Sequence, residues 1–133
     1  MNTLPPDIMM CVQQSSQKYE LPVELLLAVI KTEGGRNGLR IKNRNGSWDL
    51  GIMQINSVHL PALKKMGIDK HMLLYNSCVN IDVGAWMLRS NFPTSPLAAN
   101  KKEWWRYVGN YHSKTPTYNV EYQKLVWKNL QKQ

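Results

Sequence analysis

The chain has 133 residues, 43% of them hydrophobic and 20% charged, an ordinary balance for a globular protein with one core. No apolar run reaches the ~18 residues needed to span a bilayer, so an integral membrane segment is not expected. The net charge of +8 favours an anionic partner such as a cell-wall polymer, an anionic lipid or nucleic acid, although solubility alone accounts for such an excess equally simply.

The basic residues are spread out, with no run longer than Lys64-Lys65 or Lys101-Lys102. No helix-turn-helix, zinc or RNA-binding signature accompanies them, and nucleic acid is therefore not the expected partner. His59, His71 and His112 are scattered without metal-ligand spacing, and neither a metal nor a cofactor is expected. Residues 1–7 carry no basic stretch followed by an apolar one, so no leader is visible; the chain is either cytoplasmic or written without its leader.

In chain order, Pro5-Pro6-Asp7 reads as a helix start with Asp7 as N-cap. Ile8, Cys11, Val12, Ser15 and Tyr19 then mark one face. Leu21-Pro22 begins a second helix, with Pro22 and Glu24 in its first turn, where the Glu24 charge complements the helix dipole. Leu26, Val29, Ile30 and Glu33 fall at i, i+3, i+4 and i+7 of that helix, and Gly34-Gly35 ends it. Glu33 thus extends an apolar stripe at a helix C-terminus. Burial and the negative end of the dipole both disfavour its anion and raise its pKa, the setting a general acid needs near neutral pH. The plainer alternative is a last-turn glutamate turned to solvent.

Leu39-Arg40-Ile41-Lys42 alternates, Asn45-Gly46 is a hairpin turn signal, and Ser47-Trp48-Asp49-Leu50 returns as a strand. Gly51 to His59 reads as loop or short helix, followed by a short helix over 61–65 closed by Gly67 and a turn or two over 69–75. Cys78, Ile81, Ala85, Leu88 and Phe92 trace an amphipathic helix over about 76–91. Pro93-Thr94-Ser95-Pro96 breaks the chain, and the aromatic-rich 104–111 is read as helical. Thr115-Pro116 caps a last helix whose apolar positions are Val120, Tyr122, Leu125, Val126 and Leu130. With no repeats or linkers, residues 1–133 read as one mainly helical domain with a small β-hairpin. Cys11 and Cys78, on two different helices, are either one disulfide in an oxidising compartment or two reduced core cysteines.

Several ordered pieces resemble a known family. Leu25 to Glu33 is similar to the helix that carries the catalytic Glu of the lysozyme-like lytic transglycosylases, within a fold of α+β lysozyme-like class. Asn45 to Asn56, containing Gly51-Ile52-Met53-Gln54, is similar to their Gly-Leu-Met-Gln motif with its flanks. Cys78-Val79-Asn80-Ile81 and Gly84-Ala85-Trp86 match the later helix, and Val108 to Ser113 stands where the family has Ala-Tyr-Asn-Ala-Gly or its variants. The resemblance covers about residues 10–130. It is closest to the small specialised enzymes that accompany type III and type IV secretion, conjugation and pilus systems. Two departures stand out: Gly34 where the family usually has Ser, and His112-Ser113 after Tyr111.

The resemblance implies a monomeric enzyme of the Gram-negative periplasm that binds peptidoglycan glycan strands and serves an envelope machine. It implies a Cys11–Cys78 disulfide. It implies that Glu33 cleaves the MurNAc-β-1,4-GlcNAc bond with a 1,6-anhydro product, and that Gly51, Met53, Gln54, Asn56 and Tyr111 bind substrate, with Ser57 less firmly placed. Asp49 is a candidate second acid that stabilises charge or positions a water; ordinary turn chemistry gives it a bracing role instead. Met53 and the Trp104-Trp105 pair also read as core residues. Hydrolysis by a lysozyme-type muramidase, and a non-catalytic wall-binding assembly protein, are the competing functions.

Overall fold

A computed structural model describes residues 4–98 and 101–133, without the side chain of Lys101. Residues 1–3, part of the stretch read for a leader, lie outside it. Helix α1 (Pro6–Lys18) starts at Pro6, whose missing N–H is no loss in a first turn. Asp7 is therefore not the cap, as the sequence had suggested, but lies inside the first turn, with its charge on the positive end of the dipole. Helix α2 (Val23–Glu33) begins one residue later than expected, because Pro22 stands at the N-cap position and its carbonyl accepts from the Leu25 and Leu26 amides. Leu26, Val29 and Ile30 are buried, as the stripe predicted, and Leu25 and Ala28 beside them are buried too.

Strands β1 (Arg40–Lys42) and β2 (Trp48–Leu50) form the predicted hairpin, with Arg40 opposite Leu50 and Lys42 opposite Trp48. A third strand, β3 (Ile55–Asn56), was read as loop or helix. It joins antiparallel to β2, with Asp49 opposite Asn56. Two residues carry no periodicity, so a strand this short is held by its partner and not by its own pattern.

A 3-10 turn at Ser57–His59 leads to α3 (Leu60–Lys65) and α4 (Lys70–Tyr75), the latter capped by Asp69 accepting from the Met72 amide. Helix α5 (Ser77–Ser90) is capped by Asn76, and α6 (Lys101–Gly109) and α7 (Pro116–Gln131) complete the chain.

Helix α5 runs through the middle of the molecule. Ile81, Ala85 and Leu88 are buried as predicted, and so are Asn80, Val83 and Gly84, because the helix packs on α1 on one side and on the β2–β3 turn on another. Helix α7 packs on α2, with Asn129 Nδ2 donating to Thr32 Oγ1 at 2.9 Å. Its inward face is Asn119, Tyr122 and Val126; Val120 and Leu125, expected inside, are 45% and 52% exposed. Each lies one residue, about 100° of helical rotation, from a buried neighbour. Trp104 and Trp105 pack as core-side residues. Trp104 lies on Phe92 and donates from Nε1 to the Pro96 carbonyl, and Trp105 lies against Trp127.

Cys11 and Cys78 form a disulfide between α1 and α5, and the Lys18–Asp82 ion pair with the Tyr19–Asp82 hydrogen bond joins the same two helices. The bond spans 67 residues of sequence. Constraining so long a loop in the unfolded chain typically adds about 2–4 kcal/mol. The Cys11→Ser, Cys78→Ser double variant is expected to lose that much unfolding free energy and to unfold at lower urea, with a steeper slope because its unfolded chain, free of the cross-link, is more expanded. A variant with the parent midpoint would show that the bond contributes no net stability.

Candidate active site

The chain must turn sharply after Glu33 for the acid to face the sheet. Gly34 takes the left-handed conformation at φ +68°, and its amide closes the helix on the Ile30 carbonyl. Gly35 then passes against the Gly51–Ile52 backbone so closely that a Cβ would lie 2.1 Å from the Gly51 oxygen. The end of the acid helix and the Gly-Ile-Met-Gln turn are thus in direct contact, which only glycine permits.

The turn itself is held from α5. The fully buried Asn80 donates from Nδ2 to the Leu50 and Leu73 carbonyls at 2.9 Å each, and its Oδ1 accepts from the Met53 amide at 2.9 Å. Gly51 has φ +73°, and a Cβ there would meet Asn80 Nδ2 at 2.3 Å. Gln54 also has positive φ, +53°, uncommon outside glycine. Its side-chain Nε2 donates to the Gly51 carbonyl at 2.9 Å, which holds the residue in that conformation.

A cavity of about 320 Å3 opens between these parts. Glu33, Asp49, Gln54, Asn56 and Tyr111 all line it. The structure therefore brings together five of the seven candidates for catalysis and binding. Gly51 and Met53 do not reach it. Gly51 is buried, and Met53 is fully buried with its sulfur against Gly84, where an added Cβ would be 2.4 Å away. Met53 is a core residue whose backbone serves the site: its carbonyl accepts from Tyr111 Oη at 3.0 Å. His112, one of the departures from the family pattern, lines the cavity beside Tyr111, and Asn43, Asn45, Ser47, His59 and Met87 line it as well and were not expected there. Ser57 stands behind the sheet end, its hydroxyl accepting from the Trp48 amide at 2.9 Å.

Asp49 is braced, as turn chemistry suggested, yet faces the cavity. Its Oδ1 accepts from Asn56 Nδ2 at 3.0 Å, and that amide also reaches Ser47 Oγ. Glu33 has a different partner. Tyr122 donates its hydroxyl to Glu33 Oε2 and is itself buried, with the His112 ring stacked over it at 5.0 Å. Sequence reading placed Tyr122 only among apolar positions. The available signal was a phenol hydroxyl in an inward stripe, which needs a buried partner.

Burial pushes the Glu33 carboxyl up to about 7; the Asp49 charge adds to this, and the Tyr122 hydrogen bond opposes it. Burial likewise raises the Tyr111 and Tyr122 hydroxyls well above the usual phenol value, so both remain donors. The arrangement presents one carboxylic acid that keeps its proton near neutral pH, beside a polar sheet edge rich in amide and hydroxyl groups. Such an acid suits protonation of a leaving oxygen.

The transglycosylase SLT domain family matches residues 10–123. This chain belongs to that family. The chain is also similar to the Invasion protein IagB of Salmonella typhi, 35% identical over 127 residues that make up 92% of this chain and 76% of that protein. Protein IpgF of Shigella flexneri is 32% identical over 106 residues, 79% of this chain and 66% of IpgF. A putative peptidoglycan-binding-like protein of Escherichia coli K12 is 32% identical over 113 residues, 77% of this chain and 66% of that protein. As a member of the SLT transglycosylases, the chain is a lytic transglycosylase acting on peptidoglycan.

In such an enzyme Tyr122 has a measurable role. Its hydrogen bond favours the Glu33 anion, so Tyr122→Phe is expected to raise the Glu33 pKa above about 7. The alkaline limb of kcat/KM then moves to higher pH in the variant. An unmoved limb would show that the phenol does not control the acid.

Proposed function

We propose that Glu33 is the single catalytic acid-base of this lytic transglycosylase, cutting the MurNAc-β-1,4-GlcNAc bond with a 1,6-anhydro product. The observation that carries this reading is a cavity-lining carboxyl held near pKa 7 by burial, with a phenol fixing its orientation. Glu33 first gives its proton to the glycosidic oxygen as the C1–O bond breaks. The carboxylate then takes the proton of the muramyl C6 hydroxyl as that oxygen bonds to C1. The acid ends protonated, as it began, and no water is consumed. The substrate's own N-acetyl group stabilises the cationic centre, so a second carboxylate is not required.

Gln54, Asn56 and Tyr111 bind the sugars from the cavity wall, where amide and hydroxyl groups match hydroxyl and N-acetyl groups. Gly51 and Met53 act through the backbone that holds Gln54 and Tyr111. One specific observation favours a second reading: Asp49 lines the same cavity and raises the Glu33 pKa through its charge. An acid so placed suits a muramidase in which Asp49 stabilises charge or positions a water, giving reducing ends.

The setting we propose is the Gram-negative periplasm, where a monomer opens the wall locally for a secretion, conjugation or pilus machine. A disulfide suits an oxidising compartment, and the relative named an invasion protein supports a role beside such a machine. Mass spectrometry of soluble products from purified peptidoglycan tests the chemistry. Anhydromuramyl ends are expected; reducing ends would replace the transglycosylase with the hydrolase and bring Asp49 forward.

A further inference from the structure

Among the described residues the Glu33 carboxyl has one hydrogen bond, which Tyr122 donates to Oε2. Whatever holds Tyr122 therefore decides where the carboxyl points. Tyr122 is only 4% exposed, yet it borders a second cavity, of about 200 Å3, beside α7; Glu33 and His112 line this one too. A ring beside open space is not held by close packing on that side. Rotation about its side-chain bonds would carry the hydroxyl off the acid.

Two rings from consecutive residues lie against Tyr122. Tyr111 is 6.4 Å away with its plane inclined by 25°, and its hydroxyl is committed to the Met53 carbonyl. His112 is closer and nearly parallel, with centroids 5.0 Å apart and planes 10° apart. The imidazole is exposed and, among the described residues, makes no hydrogen bond or ion pair of its own. Its ring contact is the one with Tyr122.

The backbone sets this stack. The Tyr111 and His112 amides donate to the Val108 and Gly109 carbonyls, which makes residues 109–113 a tight turn after α6. The buried Asn119 ties that turn together: its Nδ2 donates to Asn110 Oδ1 and to the Ser113 carbonyl at 3.0 Å each. Gly109 lies so close that a Cβ there would be 2.2 Å from Asn119 Oδ1. Asn119 and Tyr122 are three residues apart on the inward face of α7. One helix thus fixes both the turn that carries His112 and the ring that His112 covers.

We propose that His112 is a positioning residue for the cleaving acid: its ring, laid on Tyr122, holds the phenol on Glu33 Oε2 and so keeps the carboxyl aimed at the glycosidic oxygen. This rests on the reading of Glu33 as that acid. His112 is one of the chain's departures from the family pattern, and the stack gives that departure a role.

The test compares His112→Ala, His112→Phe, Tyr122→Phe and the pair His112→Ala, Tyr122→Phe. Each is assayed on soluble peptide-free glycan strands, and its Glu33 carboxyl is titrated by 13C NMR. His112→Ala is expected to lower kcat about threefold to tenfold, the range of one lost ring stack, with KM within about twofold of the parent. His112→Phe keeps the ring and should keep the parent kcat. In the pair, His112→Ala should cost nothing beyond Tyr122→Phe, because the stack then has no hydroxyl to hold. Glu33 should titrate at higher pH in His112→Ala, as in Tyr122→Phe, since the hydrogen bond favours the anion. His112→Phe, which equally lacks an ionisable ring, should titrate as the parent does. His112 is exposed, so its variants should unfold at the parent temperature, which separates lost aim from lost fold. Losses that multiply in the pair would overturn the proposal, because the imidazole would then touch the sugar itself. Equal losses in His112→Ala and His112→Phe, or a Glu33 titration unmoved in His112→Ala, would overturn it as well. Glu33→Gln with turnover intact would instead remove the reading of Glu33 as the acid. The titration reports the carboxyl whether or not it is catalytic, so the two fail separately.

Discussion

Replacing Glu33 with glutamine abolishes cleavage and makes the protein more stable above pH 7. The loss of activity follows from the loss of the only proton donor in the proposed mechanism. A positioned general acid contributes about 100-fold to 10,000-fold, and this one also acts as the base in the second step, so a fall of at least about 1,000-fold is expected. The gain in stability follows from linkage. Burial holds the native carboxyl near pKa 7, against an ordinary value of 4.5. Below the ordinary value both native and unfolded chains are protonated there, and Glu33 brings no penalty. As pH rises through the interval up to about 7, the unfolded chain releases its proton first and the native state becomes relatively less favourable. Above that interval the buried anion costs the fold on the order of 3 kcal/mol. Glutamine has the same shape, accepts the Tyr122 hydrogen bond and never ionises. Thermal unfolding at pH 8 and at pH 4 checks this: the variant should melt several degrees higher at pH 8 and match the parent at pH 4. Equal Tm values at pH 8 would mean that the carboxyl is solvated and has an ordinary pKa.

Asn80→Leu is expected to lose about 4 kcal/mol and most of the activity, although residue 80 is not in the cavity. Leucine is close in volume but leaves the Met53 N–H and the Leu50 and Leu73 carbonyls without their partner in a fully buried place. Each unpaired buried group costs about 1–3 kcal/mol, and the strain of Gln54 at φ +53° adds to the tendency of the turn to relax. Asn80→Asp separates the two parts of this effect, because it keeps an acceptor for Met53 and loses the donor to both carbonyls. Urea unfolding gives the stability, and hydrogen exchange at the Met53 amide reports the turn. Parental protection of that amide in Asn80→Leu would show that the turn stands without α5.

The residues that sequence reading found share one property: their evidence is local. The α2 stripe ends in Glu33 within a few turns of helix, the Asn45-Gly46 signal lies within its own hairpin, and the α5 face is read from i to i+4. The residues it missed act across long intervals. Tyr122 meets Glu33 over 89 residues, Asn80 meets Met53 over 27, and β3 is a strand only because β2 lies beside it. Met53 shows the converse case. Its membership of a motif suggested contact with substrate, whereas Gly84 admits its side chain to the core and leaves only its carbonyl facing Tyr111. Helix α7 was placed correctly, but its facing needed knowledge of what it packs on, since Tyr122, Leu125 and Val126 are all apolar enough to be buried.

The contact of Gly35 with Gly51 has a consequence for how this enzyme can change. The chain leaves α2 at Gly35, travels out along the hairpin and comes back to the same point, where the Gly51 amide also donates to the Leu39 carbonyl at 2.8 Å. The hairpin is thus a closed excursion, moored at its root. Lengthening or rewriting its tip, at Arg44, Asn45 and Gly46, alters one wall of the cavity without shifting the spacing between acid and turn. Substrate preference can drift at the tip while the chemistry stays fixed at the root, and grafted tips from other family members should be accepted there more readily than any side chain at position 35.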